Sequence, residues 1–183
     1  MFKLGIDSRN NKPLPTRGFL MDMNVKHLFG LNNVSNNLTQ FDIDMRVYAS
    51  IFKLPRLVLA SRLGFGVNYG DFEFPQAYKL GGTENLRGYR RDRFAGKSAL
   101  YNNTEIRFRI ADFNTYLFPG SIGIHLFNDV GRVWHKGESS KDWHVGNGGG
   151  IWIAPVRRVV VTASITRSKE EKALPLVTFG FQF

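Results

Sequence analysis

Apolar and polar residues alternate with a period of two along most of this chain, the pattern of strands whose two faces meet different surroundings. Phe41, Ile43, Met45, Val47, Ala49 and Ile51 alternate with Asp42, Asp44, Arg46, Tyr48 and Ser50. Leu57, Leu59, Leu63, Phe65, Val67 and Tyr69 oppose Ala60, Arg62, Gly64, Gly66 and Asn68, interrupted only by Ser61 on the apolar side. Farther on, Thr104, Ile106, Phe108 and Ile110 alternate with Glu105, Arg107 and Arg109, and Ile122, Ile124 and Leu126 with Gly123, His125, Phe127 and Asp129. Val177, Phe179, Phe181 and Phe183 close the chain against Thr178, Gly180 and Gln182. The pattern predicts nine strands, over 2–9, 18–29, 38–52, 56–69, 99–113, 121–134, 145–154, 158–168 and 174–183. Turn chemistry marks the joints at Asn10-Asn11, Asn32-Asn33, Lys53-Leu54-Pro55, Phe118-Pro119-Gly120 and Ala154-Pro155. No segment sustains a helical period.

Alternation alone fits two architectures. A soluble sandwich or barrel turns its apolar face to a packed core, whereas a membrane barrel turns it to lipid around a polar lumen. Three features favour the membrane barrel. The strands exceed the roughly 5–6 residues usual in globular sheets. Short joints alternate with longer polar loops. Phe183 closes the last strand with an apolar aromatic where soluble domains commonly fray. Trp134, Trp143 and Trp152 fall near strand ends, where an interfacial girdle would place them.

One polar stretch breaks the series. Asp71 to Lys97 is 27 residues long and contains Leu80-Gly81-Gly82-Thr83-Glu84-Asn85-Leu86-Arg87-Gly88-Tyr89-Arg90. Insertions of this length in compact proteins are usually functional or disordered, and the Gly pairs, aromatics and cations of this one suit a loop that folds back onto something.

Composition narrows the class. A chain of 183 residues with 43% hydrophobic and 14% aromatic residues suits one domain. Twenty-five Lys and Arg against 15 Asp and Glu give a net charge of +10. With no nucleic-acid-reading module in the sequence, that charge points to an anionic membrane surface rather than to nucleic acid. Cysteine is absent, which excludes disulfides and thiolate metal sites. The start, Met1-Phe2-Lys3-Leu4-Gly5-Ile6-Asp7, has no signal-peptide core, so a membrane-crossing chain is expected to be a mature form, a re-engineered form or a fragment. No apolar run approaches the about 18 residues of a transmembrane helix.

Leu86-Arg87-Gly88-Tyr89, preceded by Leu80-Gly81-Gly82, resembles the (V/L)RG(F/Y) motif on the inward-folded loop of the BamA/TamA superfamily of outer-membrane assembly and secretion barrels, the bacterial surface antigens. Asp7 to Gly18 resembles that family's D-x-R-[DN]-x-x-x-x-P-x-x-G hairpin. Phe127-Asn128-Asp129-Val130-Gly131 resembles its F-x-D-x-G strand, with Phe127, Asp129 and Gly131 at the motif positions, and Phe183 its terminal sorting signal. The resemblance implies an all-β, antiparallel transmembrane barrel with loop 71–97 in its lumen. The family's barrel has sixteen strands, five of them after the motif loop; this chain has five after the loop and four before it. Residues 1–183 therefore resemble a single domain forming the carboxy-terminal part of such a barrel, with no POTRA domain.

The implied function is insertion or translocation of proteins at the bacterial outer membrane, without catalysis, cofactor or metal. The implied mechanism is a weak seam, one side of it the last strand with Phe179, Phe181 and Phe183, that accepts a client's strand. The implied partners are the bilayer, lipopolysaccharide and client outer-membrane or secreted proteins. A second reading is a passive oligomeric anchor or pore derived from the family, in which a second copy completes the barrel.

Within the motif, a cation at Arg87 tucked into a lumen is tolerable only when paired, and Asp129 stands on the polar parity of its strand. A bidentate Arg87–Asp129 pair, with Tyr89 and Phe127 around it and Gly88 permitting close approach, would lock the loop. The alternative is a solvated loop with Arg87 in a wet channel. Arg90, Arg91, Arg93 and Lys97 make the loop tip basic, for lipopolysaccharide, an acidic client or a hydrated lumen. Other motifs fail: Gly96-Lys97-Ser98 lacks the upstream glycine of a phosphate loop, and Gly146-Asn147-Gly148-Gly149-Gly150 leads into a strand. His27, His125, His135 and His144 lack metal-ligand spacing.

Overall fold

Nine strands hydrogen-bond in one antiparallel sheet that follows the order of the chain, interrupted once by the long loop. The computed structural model describes residues 1–30, 37–51, 56–116, 118–135, 137 and 141–183. Before the loop come β1 (Phe2–Asp7), β2 (Gly18–Leu28), β3 (Leu38–Ser50) and β4 (Leu57–Gly70). After it come β7 (Ser98–Asn114), β8 (Pro119–Trp134), β9 (His144–Pro155), β10 (Val161–Ser168) and β11 (Leu174–Phe179). Two short strands, β5 (Tyr78–Leu80) and β6 (Phe94–Gly96), pair with each other inside the loop. The expected joints at Asn32-Asn33 and Lys53-Leu54-Pro55 lie outside the described residues.

The sheet is inside-out relative to a soluble fold. Along β7, Asn103, Glu105 and Arg107 are buried while Ile106, Phe108 and Ile110 are exposed. Along β8, His125, Phe127 and Asp129 are buried while Ile122, Ile124 and Leu126 are exposed. The extremes are plain: Asp129 is 0% exposed and Leu126 62%. Ordered apolar rows facing outward across many strands would be a large penalty in water and are what a hydrocarbon solvent requires. A bulge between Arg109 and Ala111 shifts the register of β7 against β8, which carries Asp112 back to the polar face, where Ser121 Oγ donates to its Oδ1 at 2.5 Å.

The polar face is concave. Phe183 packs on Tyr48 of β3, Phe181 on Trp152 of β9, and both lie over Arg107 of β7, so one short segment touches strands from well-separated parts of the sheet. The sheet is nevertheless open. Its order begins at β1 and ends at β11, each paired on one side. The architecture is thus an all-β, antiparallel partial barrel.

Three expectations need correction. The last strand ends at Phe179, not at 183, because Gly180 takes φ +93° and turns the following residues onto the polar face. Trp152 is no part of an outward girdle: it is buried on the inward face, where its indole nitrogen donates to the Ile124 carbonyl at 3.1 Å. Pro155 belongs to β9, and the turn falls after it, at Val156 and Arg157, which both have positive φ.

Candidate functional site

Loop 71–97 has a frame of its own. A 3-10 turn over Phe74–Gln76 and the β5–β6 hairpin give it a frame. The Asn85 side chain stitches that frame, accepting from the Gly81 amide at 2.9 Å and donating to the Lys79 carbonyl at 2.9 Å. Leu80, Leu86 and Tyr89 then bury themselves with Ala99 of β7 in a small apolar cluster flanked by Tyr78, Phe94, Tyr101 and Val133. The wall completes the docking through polar groups. Asn103 donates to the Asn85 carbonyl at 2.7 Å, and Arg62 to the Glu84 carbonyl at 2.6 Å.

Arg87 lies at the centre of this contact. Its Nε and Nη2 donate to the two oxygens of Asp129 at 2.7 and 2.8 Å, and its own backbone amide adds a third bond to that carboxylate at 3.0 Å. Its remaining Nη1 donates to Glu105 at 3.0 Å. The guanidinium lies 3.5 Å from the centre of the Phe127 ring. Burial works against the Arg87 cation, but the Asp129 bonds and the Glu105 charge outweigh it and hold its pKa above the usual guanidinium value.

Glu105 carries the network further. Its second oxygen accepts from Arg107 Nε at 2.9 Å, and Arg107 Nη2 donates to the main-chain oxygen of Phe183 at 2.9 Å. Arg107 also lies 3.8 Å from the Phe181 ring centre. Two arginines and two carboxylates therefore form a balanced buried set joining loop, wall and the segment 180–183. Paired in this way, buried charges become tolerable; with one partner removed they are not. A second inward cluster lies toward β3, where Asp44 accepts from Arg46 and Arg62 at 2.7 Å each, and Arg62 donates to the Tyr101 hydroxyl at 2.8 Å.

The structure brings Arg87, Phe127 and Asp129 together and distributes the other motif residues differently. Tyr89 does not flank the ion pair; it packs in the loop's apolar cluster, with its ring near Phe94 and His144. Gly88, at φ +91°, passes close to the β10 backbone at Arg167. Gly131 leaves room for the Leu80 side chain. Phe179 stays in β11 and points outward, while Phe181 and Phe183 point inward.

Sequence reasoning placed Glu105 and Arg107 on the polar face without finding their partners, because the partners are separated by 18 and 76 residues. Gly146 was also missed as a docking residue. A side chain there would drive its Cβ into the Arg87 carbonyl oxygen, so the loop backbone can cross β9 only over a glycine.

This geometry holds a loop, balances charge and presents strand edges; beside it the Ser164 hydroxyl and His125 Nε2 lie 2.9 Å apart. The family model of the Omp85 superfamily domain matches residues 1–183. No curated protein matches the chain.

Proposed function

Because the chain belongs to the Omp85 superfamily, a family of outer-membrane protein insertion and transport, we propose that it is a non-enzymatic barrel component that inserts or translocates proteins at the bacterial outer membrane. In this reading residues 1–183 form one unit, the carboxy-terminal part of a larger barrel wall. The docked loop braces its concave face, lipid and lipopolysaccharide surround its outer face, and client polypeptides engage a sheet edge by strand addition.

The observation that carries this reading is the edge of β11, unpaired among the described residues, beside a wall whose apolar side faces out. An unpaired edge within hydrocarbon leaves backbone donors and acceptors unsatisfied, each at a cost of several kcal/mol. A strand added to that edge relieves the cost.

Strand parity bears on the passive-oligomer alternative. All eight junctions in the nine-stranded sheet are antiparallel, so β1 and β11 run in the same sense. A second copy inserted in the same orientation could meet either edge only in parallel, the slightly weaker pairing. A partner segment with an odd number of strands closes both junctions antiparallel.

The chain has no cysteine, so a cysteine introduced at Thr178 on β11 reports on that edge cleanly. Crosslinking of this site to an outer-membrane polypeptide during its insertion supports the reading. Crosslinking between copies alone, through Thr178 and a cysteine at Lys3 on β1, would establish the passive oligomer instead.

A further inference from the structure

On the outward face one row of residues breaks the apolar surface. Ser61 pairs with Thr104, Thr104 with Asn128, Asn128 with Asn147 and Asn147 with Arg167, so the row crosses β4, β7, β8, β9 and β10 in register. The next row toward the Pro119 end of β8 is Leu59, Ile106, Leu126, Gly149 and Ile165, and the one after it is Leu57, Phe108, Ile124, Ile151 and Ala163. Both are wholly apolar. On the other side of the polar row Arg132 lies over the rings of Trp134 and Trp143, at 5.0 and 6.0 Å. Apolar belt, polar row, a mixed row of Leu63, Asn102, Val130 and Val145, and an aromatic-cationic rim thus follow one another along the wall.

The two ends of the row differ. At the β4–β7 end, Asn102 donates to Ser61 and to the Arg62 carbonyl and accepts from Thr104, so that end satisfies itself. At the β8–β10 end, the side chains of Asn128, Asn147 and Arg167 make no hydrogen bond among the described residues. That end opens into a cavity of about 660 Å³ lined by Trp143, Asn147, Arg167 and Lys169. Two acids also line it: Glu170, which bonds to Arg93, and Asp142. Arg167, Lys169 and Asn147 line it and Asn128 stands beside Asn147; all four are exposed, next to the apolar rows.

We propose that this cleft between the ends of β9 and β10 binds the headgroup of a phosphorylated glycolipid. Arg167 and Lys169 take the phosphate through charge-assisted hydrogen bonds. Asn128 and Asn147, each able to donate and accept, take sugar hydroxyls. Trp143 and Trp134 sit at headgroup level, and the acyl chains lie along the apolar rows below. A lipid with phosphate, sugar and acyl chains in that order matches all three zones together; a plain anionic phospholipid offers fewer hydroxyls than a sugar and engages Asn128 and Asn147 less fully. The assignment rests on the outward face being the lipid-facing one.

The test is lipid retention. The chain is placed in phosphatidylethanolamine bilayers containing a minor fraction of either diphosphoryl lipid A or phosphatidylglycerol, and bound lipid is counted by native mass spectrometry after release into detergent. Lipid A is expected to be retained in preference. The Arg167→Ala/Lys169→Ala pair should lower that retention about tenfold, Asn128→Ala/Asn147→Ala should remove the preference over phosphatidylglycerol, and Ser61→Ala, at the self-satisfied end, should change nothing. Equal retention of the two lipids, indifference to both pairs of substitutions, or displacement by inorganic phosphate would overturn the proposal. A wild-type chain that does not enter the bilayer would instead remove the lipid-facing reading on which it rests.

Discussion

Arg107 of β7 donates to the main-chain oxygen of Phe183 at 2.9 Å, closing a contact between residues 76 positions apart. Through Glu105 the same arginine is joined to Arg87, so the docked loop and the segment after β11 share one counter-ion. The turn at Gly180 makes this possible. The strand edge ends at Phe179, and the residues beyond it leave the edge for the concave face.

Removing the central counter-ion should release the loop. Asp129→Ala would leave the Arg87 guanidinium buried with only Glu105 opposite, a loss on the order of 3–5 kcal/mol. Trypsin cleavage at Arg90, Arg91 and Arg93 should accelerate strongly in the variant while the strands stay protected. Unchanged cleavage would show that the apolar cluster of Leu80, Leu86 and Tyr89 holds the loop without the ion pair.

Two glycine substitutions on one strand should separate. Gly146→Ala sets a Cβ against the Arg87 backbone, which cannot move without undocking the loop, whereas the Cβ of Gly149→Ala meets first the end of the Leu126 side chain at 2.6 Å. The first should cost about 1–3 kcal/mol in urea unfolding from micelles, and the second should be the milder change. Equal effects would place the cost in the strand itself rather than in the docking.

Seating of residues 181–183 should depend on the turn before them. Nothing crowds a Cβ at Gly180, so Gly180→Val acts through the backbone, where a β-branched residue at φ +93° is strongly disfavoured. In a Gln182→Cys background this variant should raise maleimide labelling several-fold, since Gln182 is half-buried in its native place. Labelling that is already fast in the parent would mean that the segment is unseated in solution.

The outward apolar face should reject charge as a bilayer-facing surface does. Ile124→Arg, 42% exposed in the wild-type chain, would be nearly neutral on a soluble protein. In lipid it should cost about 2–4 kcal/mol, read as lost folding yield into vesicles. Wild-type yield would show that this face does not meet hydrocarbon.

The positions of the nine sheet strands, the inversion of their faces and the parity of Glu105, Arg107 and Asp129 could all be read from the sequence, because side-chain direction in a strand follows from counting by two. The loop motif was legible as residues that need a partner, and the polar parity of Asp129 made it a candidate. Tertiary structure alone decided the rest. It brought Glu105 between two arginines, moved Tyr89 away from the ion pair and folded Phe183 against Tyr48. Each of these depends on how the sheet curves and the loop docks, and the last also on the φ of Gly180, which together set distances across tens of residues. Periodicity along one strand carries no information about them.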